Sequence, residues 1–325
     1  MYALPVTRFI PVSKKCWIPV AALIVSTSGS AIAAAKRNKQ LRDQSELAVV
    51  RSTKTPSLKR LGVFVSAVIC WCLGAHNTAA TANCPASEPL TWVQLEAVVD
   101  GDTLLLSDGR KVRVIGANTP ELGYGGKAGQ PLGSEAKTAV TTFFQRGAPV
   151  GLQIGQDSAD RYGRLLAHVF RYDGISLAEY LIASGLAWHL AIPPNDRYWQ
   201  CLRQLEAVAR KQSLGVWSHS EYVPKPVRPL SSADSGFQRM QGVVQSVNRS
   251  NTGWWLHMGD LAIRLQDRDL VYFDEVDPHR WLHQTLTIRG WVIDRSHSGG
   301  VKNKGYPPFM INLRHPAMLE SIVRE

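Results

Sequence analysis

Three short apolar runs separated by two tight turns, all within residues 93–115, commit this chain to a β-meander. Residues 93–99, 103–106 and 111–115 are rich in Val, Leu and Ile over lengths suited to strands. Asp100-Gly101 and Ser107-Asp108-Gly109-Arg110 divide them, and an Asp-Gly pair suits a hairpin turn because glycine accepts positive φ at little cost. A Gly-rich loop over 123–133 follows, then a helix expected over 134–145 with Ser134 as its N-cap and Gly147 beyond its end. Two more strands are expected at 150–154 and 165–170, then helices at 177–184 and 196–212, the second presenting Leu202, Leu205 and Val208 on one face. Five strands with a helix inserted after the third describe an OB-type barrel, an α+β β-barrel with capping helices.

The turns of that barrel carry the chemistry. Asp100-Gly101-Asp102-Thr103 joins the first two strands, Arg113 lies on the third, and Asn118-Thr119-Pro120-Glu121 follows it. Asp160-Arg161-Tyr162-Gly163-Arg164 makes the turn before the fifth strand. Hard carboxylate oxygens suit a divalent cation, a further carboxylate can take a proton from water, and guanidinium forks match a charge-dense phosphoryl group. A lone arginine between Val112 and Val114 needs either a substrate phosphate or a structural ion pair.

These three blocks, in this order, resemble the signature of the staphylococcal nuclease (thermonuclease) family: D-G-D-T, then R-x4-D/N-T-P-E, then D-K/R-Y-G-R. The resemblance spans residues 91–218. It implies a metal-dependent nuclease acting on DNA, and on RNA with it. It further implies calcium held by Asp102, Asn118 and the backbone carbonyl of Thr119, Glu121 handling the attacking water, and Arg113 and Arg164 stabilising the phosphoryl group. Arg161 and Tyr162 would contact substrate, with Asp160 shaping their turn. Asn118 departs from the aspartate of the best-known member, removing one negative charge from the cation site. Trp188 stands near the place of the family's base-stacking tyrosines and reads either as a stacking platform or as core; His189 has no assigned role. A catalytically inactive nucleic-acid-binding module is the competing reading, but Arg113, Glu121 and Arg164 are all present.

Charge alone is a poor guide to nucleic-acid binding in this chain. The formal net charge is +11, yet residues 1–82 hold 11 Lys/Arg against 2 Asp/Glu, leaving 26 against 24 in the remainder. The leader contains an apolar stretch at 16–35 and a second at 61–74, behind Lys59-Arg60 and ahead of Ala80-Thr81-Ala82. The second reads as a secretory signal peptide cleaved near Ala82. Residues 1–49 read as an over-extended start, or, if present, the first stretch as a membrane anchor. The mature protein would then be periplasmic or secreted, and its two remaining cysteines, Cys84 and Cys201, would form a disulfide or stay as two thiols. No cysteine or histidine spacing suggests zinc.

The domain order expected is therefore leader 1–82, OB-fold nuclease domain 83–220, Pro/Ser-rich linker 221–236, and a second β-rich, OB-like domain over 237–325. In that last domain Arg264, Arg289, Trp254, Trp255 and Trp291 read either as an aromatic-basic face for nucleic acid or, for the tryptophans, as core. No obligate protein partner is evident from the sequence.

Overall fold

The computed structural model describes residues 84–123, 125, 126, 128–274 and 276–323. All described residues belong to one compact unit, His76–Glu325. The signal-peptide and anchor expectations fall outside the described residues. Among these, no helix is long and apolar enough to cross a membrane.

The first barrel begins with β1 (Thr91–Asp100), β2 (Thr103–Leu106) and β3 (Lys111–Val114), then β4 (Gly116–Asn118) and helix α1 (Gly133–Phe143). It continues through β5 (Pro149–Ala159), β6 (Leu165–Phe170), α2 (Leu177–Ala183), β7 (Trp188–Leu190) and α3 (Trp199–Lys211). Strands close in the order β1-β2-β3-β6-β5, with β3 and β6 parallel and β1 paired to β5. Register shifts let β1 bend from one neighbour to the other, which a small closed barrel needs. Leu95, Leu104, Val112, Val114, Val150, Leu152 and Val169 fill the interior, and Val140, Phe144, Leu181 and Leu202 from the helices close it.

Two local expectations are corrected here. Ser134 is not the N-cap of α1; Leu132 occupies that position at φ 66°, without a side-chain cap. The helix start is instead fixed by close packing, because a Cβ at Gly133 would lie 2.8 Å from the Glu121 carbonyl oxygen. On α3 the buried face is Leu202, Glu206 and Ala209, while Val208 is exposed. A carboxylate occupies a buried helical position there, which hydrophobic periodicity could not reveal. Beside that face, Cys201 is bonded to Cys84 with Cα atoms 5.9 Å apart, across 117 residues of chain.

The segment expected as a linker is folded. Tyr222 is buried, β8 (Lys225–Pro226) runs parallel to the next strand, and Val227 enters the second core. Prolines at a sheet edge cost no ladder hydrogen bond, so a Pro-rich stretch can be structural. Beyond it come β9 (Gly236–Val243), β10 (Ser246–Ser250), β11 (Gly253–Met258), β12 (Leu261–Gln266) and β13 (Thr285–Asp294). Helix α4 (Gly299–Lys304), β14 (Phe309–Asn312) and β15 (Leu319–Val323) complete the chain. The sheet path is β10-β11-β12-β14-β13-β9-β8, with β15 also on β13. Only residues 244 and 245 separate β9 from β10, and both amides bond to neighbouring segments. Taken as one bent first strand, β9–β10 gives the strand order of the first barrel again, down to the parallel pair β12–β14.

The closed barrel and this barrel-like second sheet meet across buried charge. Arg289 on β13, 1% exposed, donates from both terminal nitrogens to Glu206 on α3 at 2.8 Å each. Glu206 also accepts the His189 backbone N–H at 2.7 Å. Nearby, Arg239 forks onto Glu320 and donates to the Tyr222 carbonyl. Arg289 is thus a structural residue, and the expectation that it faces nucleic acid is wrong.

Candidate active site

The D-G-D turn brings β1 back as β2 beneath helix α1. A Cβ at Gly101 would lie 2.8 Å from both Ala136 and Thr119, so only glycine lets the turn approach that closely. This seats Asp102 inside the barrel rim, 4% exposed. Its Oδ2 accepts the Thr119 backbone N–H at 3.0 Å, and its Oδ1 accepts the Thr103 hydroxyl at 3.2 Å.

Arg113 reaches the same carboxylate, with Nη2 3.1 Å from Asp102 Oδ2. It also donates to Asn118 Oδ1 at 2.8 Å and to the carbonyls of Val114 and Ala117. The two alternatives for this arginine are therefore not exclusive: its internal partners lock the guanidinium at the rim. Arg164 approaches from the turn before β6. Asp160 accepts the Tyr162 and Arg164 backbone N–H groups and the Arg164 Nε, while Arg164 Nη1 lies 3.4 Å from Thr103 Oγ1. Desolvation would raise the Asp160 carboxyl, but these hydrogen bonds hold it below the ordinary range. A continuous bonded chain, Arg164–Thr103–Asp102–Arg113–Asn118, thus fixes two guanidinium groups about one carboxylate.

Glu121 hangs on the rim after the Thr119-Pro120 turn. Gln130 clamps its backbone from both sides, accepting the Glu121 N–H and donating its own N–H to the Glu121 carbonyl, each at 2.8 Å. Desolvation and the charges of Asp102 and Asp100 push the Glu121 carboxyl up to about 7, against the pull of Arg113. Asp100 is raised as well, by burial first and then by Asp102, and it lies within hydrogen-bonding reach of Glu121. Three carboxylates therefore share one rim with negative charge in excess.

The donor set suits a hard cation. Asp100, Asp102 and Glu121 offer carboxylate oxygens, and the buried Thr119 hydroxyl has no hydrogen-bond partner. Among the described residues no three acidic, imidazole or thiol groups converge into a ready-made cage, so carbonyl, amide and water oxygens would complete the shell. The Asn118 amide oxygen already accepts from Arg113, which leaves one lone pair for a cation.

Arg161 and Tyr162 sit exposed beside the rim and bond to each other at 2.6 Å. Trp188 does not join them. It is 3% exposed and packs against Tyr222 and Phe237, between the two barrels. Sequence reasoning passed over Asp100, Thr103 and Gln130; the first two lie inside the quoted D-G-D-T block, while Gln130 carries no sequence signal.

A barrel rim that aims two arginines at a carboxylate cluster defines a phosphodiesterase of the nuclease type. The chain belongs to the staphylococcal nuclease family: the model of the staphylococcal nuclease homologues matches residues 111–219. The endonuclease YncB of Bacillus subtilis is 35% identical over 155 residues, 46% of this chain and 72% of its own length. The thermonuclease of Staphylococcus hyicus is 34% identical over 125 residues, 38% of this chain and 73% of its own. An uncharacterised endonuclease of Escherichia coli is 32% identical over 134 residues, 39% and 77% respectively.

Proposed function

We propose that this protein is an exported, divalent-cation-dependent nuclease that hydrolyses phosphodiester bonds of DNA and accepts RNA. The observation that carries this reading is the bonded chain from Arg164 through Thr103 and Asp102 to Arg113, which fixes two guanidinium charges at the rim before substrate arrives. Electrostatic groups fixed in advance need little reorganisation as charge develops, and this is commonly the largest catalytic contribution. Water attacks phosphorus in line with the leaving oxygen. Glu121 accepts a proton from that water, and a carboxyl poised near 7 is a competent base at neutral pH. Arg113 and Arg164 take up charge on the non-bridging oxygens as the bond to the leaving oxygen breaks. Arg161 and Tyr162 flank the substrate at the rim.

Calcium, when bound, supplies positive charge to the phosphate; Asp102 and the Thr119 carbonyl would hold it, with the second lone pair of the Asn118 amide oxygen as a neutral donor. Export is supported by the leader pattern and by the Cys84–Cys201 bond, a linkage that persists in oxidising compartments.

Incubating the mature chain with plasmid DNA and with RNA, in calcium and then in chelator, tests the reading. Cleavage that stops on chelation and is absent from Glu121→Gln is expected. Intact nucleic acid in calcium would leave only an inactive binding module.

A further inference from the structure

Among the described residues, the outer face of the second sheet carries two arginines without acidic partners. Asn248, Trp255, Arg264 and Asn312 stand in one cross-strand row over β10, β11, β12 and β14. Side chains alternate along strands, and Leu256, Ile263 and Ile311 beside them are core, so this row faces outward. Arg264 lies over the Trp255 ring at 5.4 Å, and Arg295, entering from the β13–β14 loop, lies over the same ring at 5.3 Å.

Cations that share one indole usually need compensation. Among the described residues the Arg264 side chain finds only the Thr252 hydroxyl at 3.4 Å, and that of Arg295 only the Pro307 carbonyl at 3.0 Å. The Nε of each is buried without a hydrogen-bond partner, as is the Asn312 amide oxygen beside them. Arg249, Arg239 and Arg314 on the same barrel all pair with carboxylates, whereas among the described residues Arg264 and Arg295 do not. Burial and then Arg264 hold the Arg295 pKa below its ordinary value, as expected for neighbouring like charges awaiting an anion. The β13–β14 loop, residues 295–308, adds Lys302, Lys304 and the half-exposed Tyr306, and holds no acidic residue.

We propose that Arg264 and Arg295, braced on Trp255, bind the phosphate backbone of single-stranded nucleic acid, making the C-terminal sheet a substrate-holding module. The identity of the ligand rests on the nuclease reading. Arg295 over Trp255 joins residues 295–308 to the outer face of β11 and β12, where Arg264 lies over the same ring. Single-stranded rather than duplex substrate follows from Tyr306 and His257, 6.2 Å apart edge-to-face, which offer π surfaces to splayed bases.

The test uses the full mature chain in chelator, with a fluorescent thymidine oligonucleotide of about 15 nucleotides, near the upper limit of an OB site. Arg264→Ala/Arg295→Ala should raise Kd about tenfold, equivalent to about 1.4 kcal/mol. The slope of log K against log salt should fall by about 1.4, two phosphate contacts at about 0.7 each. Turnover of bis(p-nitrophenyl) phosphate in calcium, a diester too small to engage both barrels, should stay at the wild-type level. Unchanged oligonucleotide affinity and salt slope would overturn the proposal, as would equal loss on a duplex of the same length. Failure of the nuclease reading looks different: the wild type then fails on the small diester while the binding loss persists. Should the double variant not fold, ultraviolet crosslinking of the oligonucleotide to wild type decides. Crosslinked peptides should include Trp255 or Tyr306, and a map confined to the first barrel would refute the assignment.

Discussion

Arg289→Met is the sharpest probe of the architecture. Methionine keeps most of the volume, so what disappears is the guanidinium and its two 2.8 Å bonds to Glu206, together with a 3.0 Å bond to the Ala317 carbonyl. Glu206, 8% exposed, would retain only the His189 N–H among the described residues, and Glu320 would lose one of three cations, the one 3.8 Å away, keeping Arg239 and Arg210. Breaking a buried pair from one side costs about 3–5 kcal/mol, because a desolvated charge is stranded. Against a total stability of about 5–15 kcal/mol, that is a large share. Urea unfolding followed by circular dichroism should show the midpoint fall accordingly, and calorimetry should resolve one wild-type transition into two as the barrels uncouple. Arg289→Met/Glu206→Met should recover part of the loss, though not all, since the His189 N–H is then orphaned at about 1–3 kcal/mol. A single variant within 1 kcal/mol of wild type would show that the pair does not weld the barrels, and the reasoning would fall.

Arg113→Ala, Glu121→Ala and Arg164→Ala should each lower kcat by about 3–4 kcal/mol of barrier with little change in KM, read by steady-state kinetics. Acid should destabilise the protein through its buried histidines. Burial holds His168 and His315 at about 4, so above pH 6.5 neither matters, while below it the unfolded chain takes protons that the folded chain refuses. Stability should therefore fall as pH drops from 6.5 toward 4, by roughly 3 kcal/mol per residue, and His168→Gln should flatten part of that slope. Cys84→Ser with Cys201→Ser should cost up to about 4–5 kcal/mol for a loop of this length, measured against the oxidised parent.

The first barrel was legible because its signals are local: short apolar runs rich in Val, Leu and Ile, divided by Asp-Gly turns, specify hairpins without reference to distant residues. The reactive residues were legible for the same reason, since D-G-D-T and D-R-Y-G-R keep their groups within one turn each. What escaped the sequence depends on long-range meetings. Glu206 looks like a surface residue of an amphipathic helix until Arg289, 83 positions away, arrives to pair with it. Arg289 and Arg264 read alike, both lone arginines on strands, yet one is locked into the junction and the other opens outward. The segment around Tyr222 read as a linker from its prolines, whereas burial of Tyr222 and Val227 is set by partners in both barrels.

The Cys84–Cys201 bond encloses Asp102, Arg113, Glu121 and Arg164 within a single covalent ring. A protease cutting once anywhere in that ring, for instance at the exposed Arg161, produces two ends but no separate fragment. A nicked molecule therefore keeps all its reactive groups tethered to one body. For any catalyst that meets a protease, survival of the first cut is a property of its connectivity.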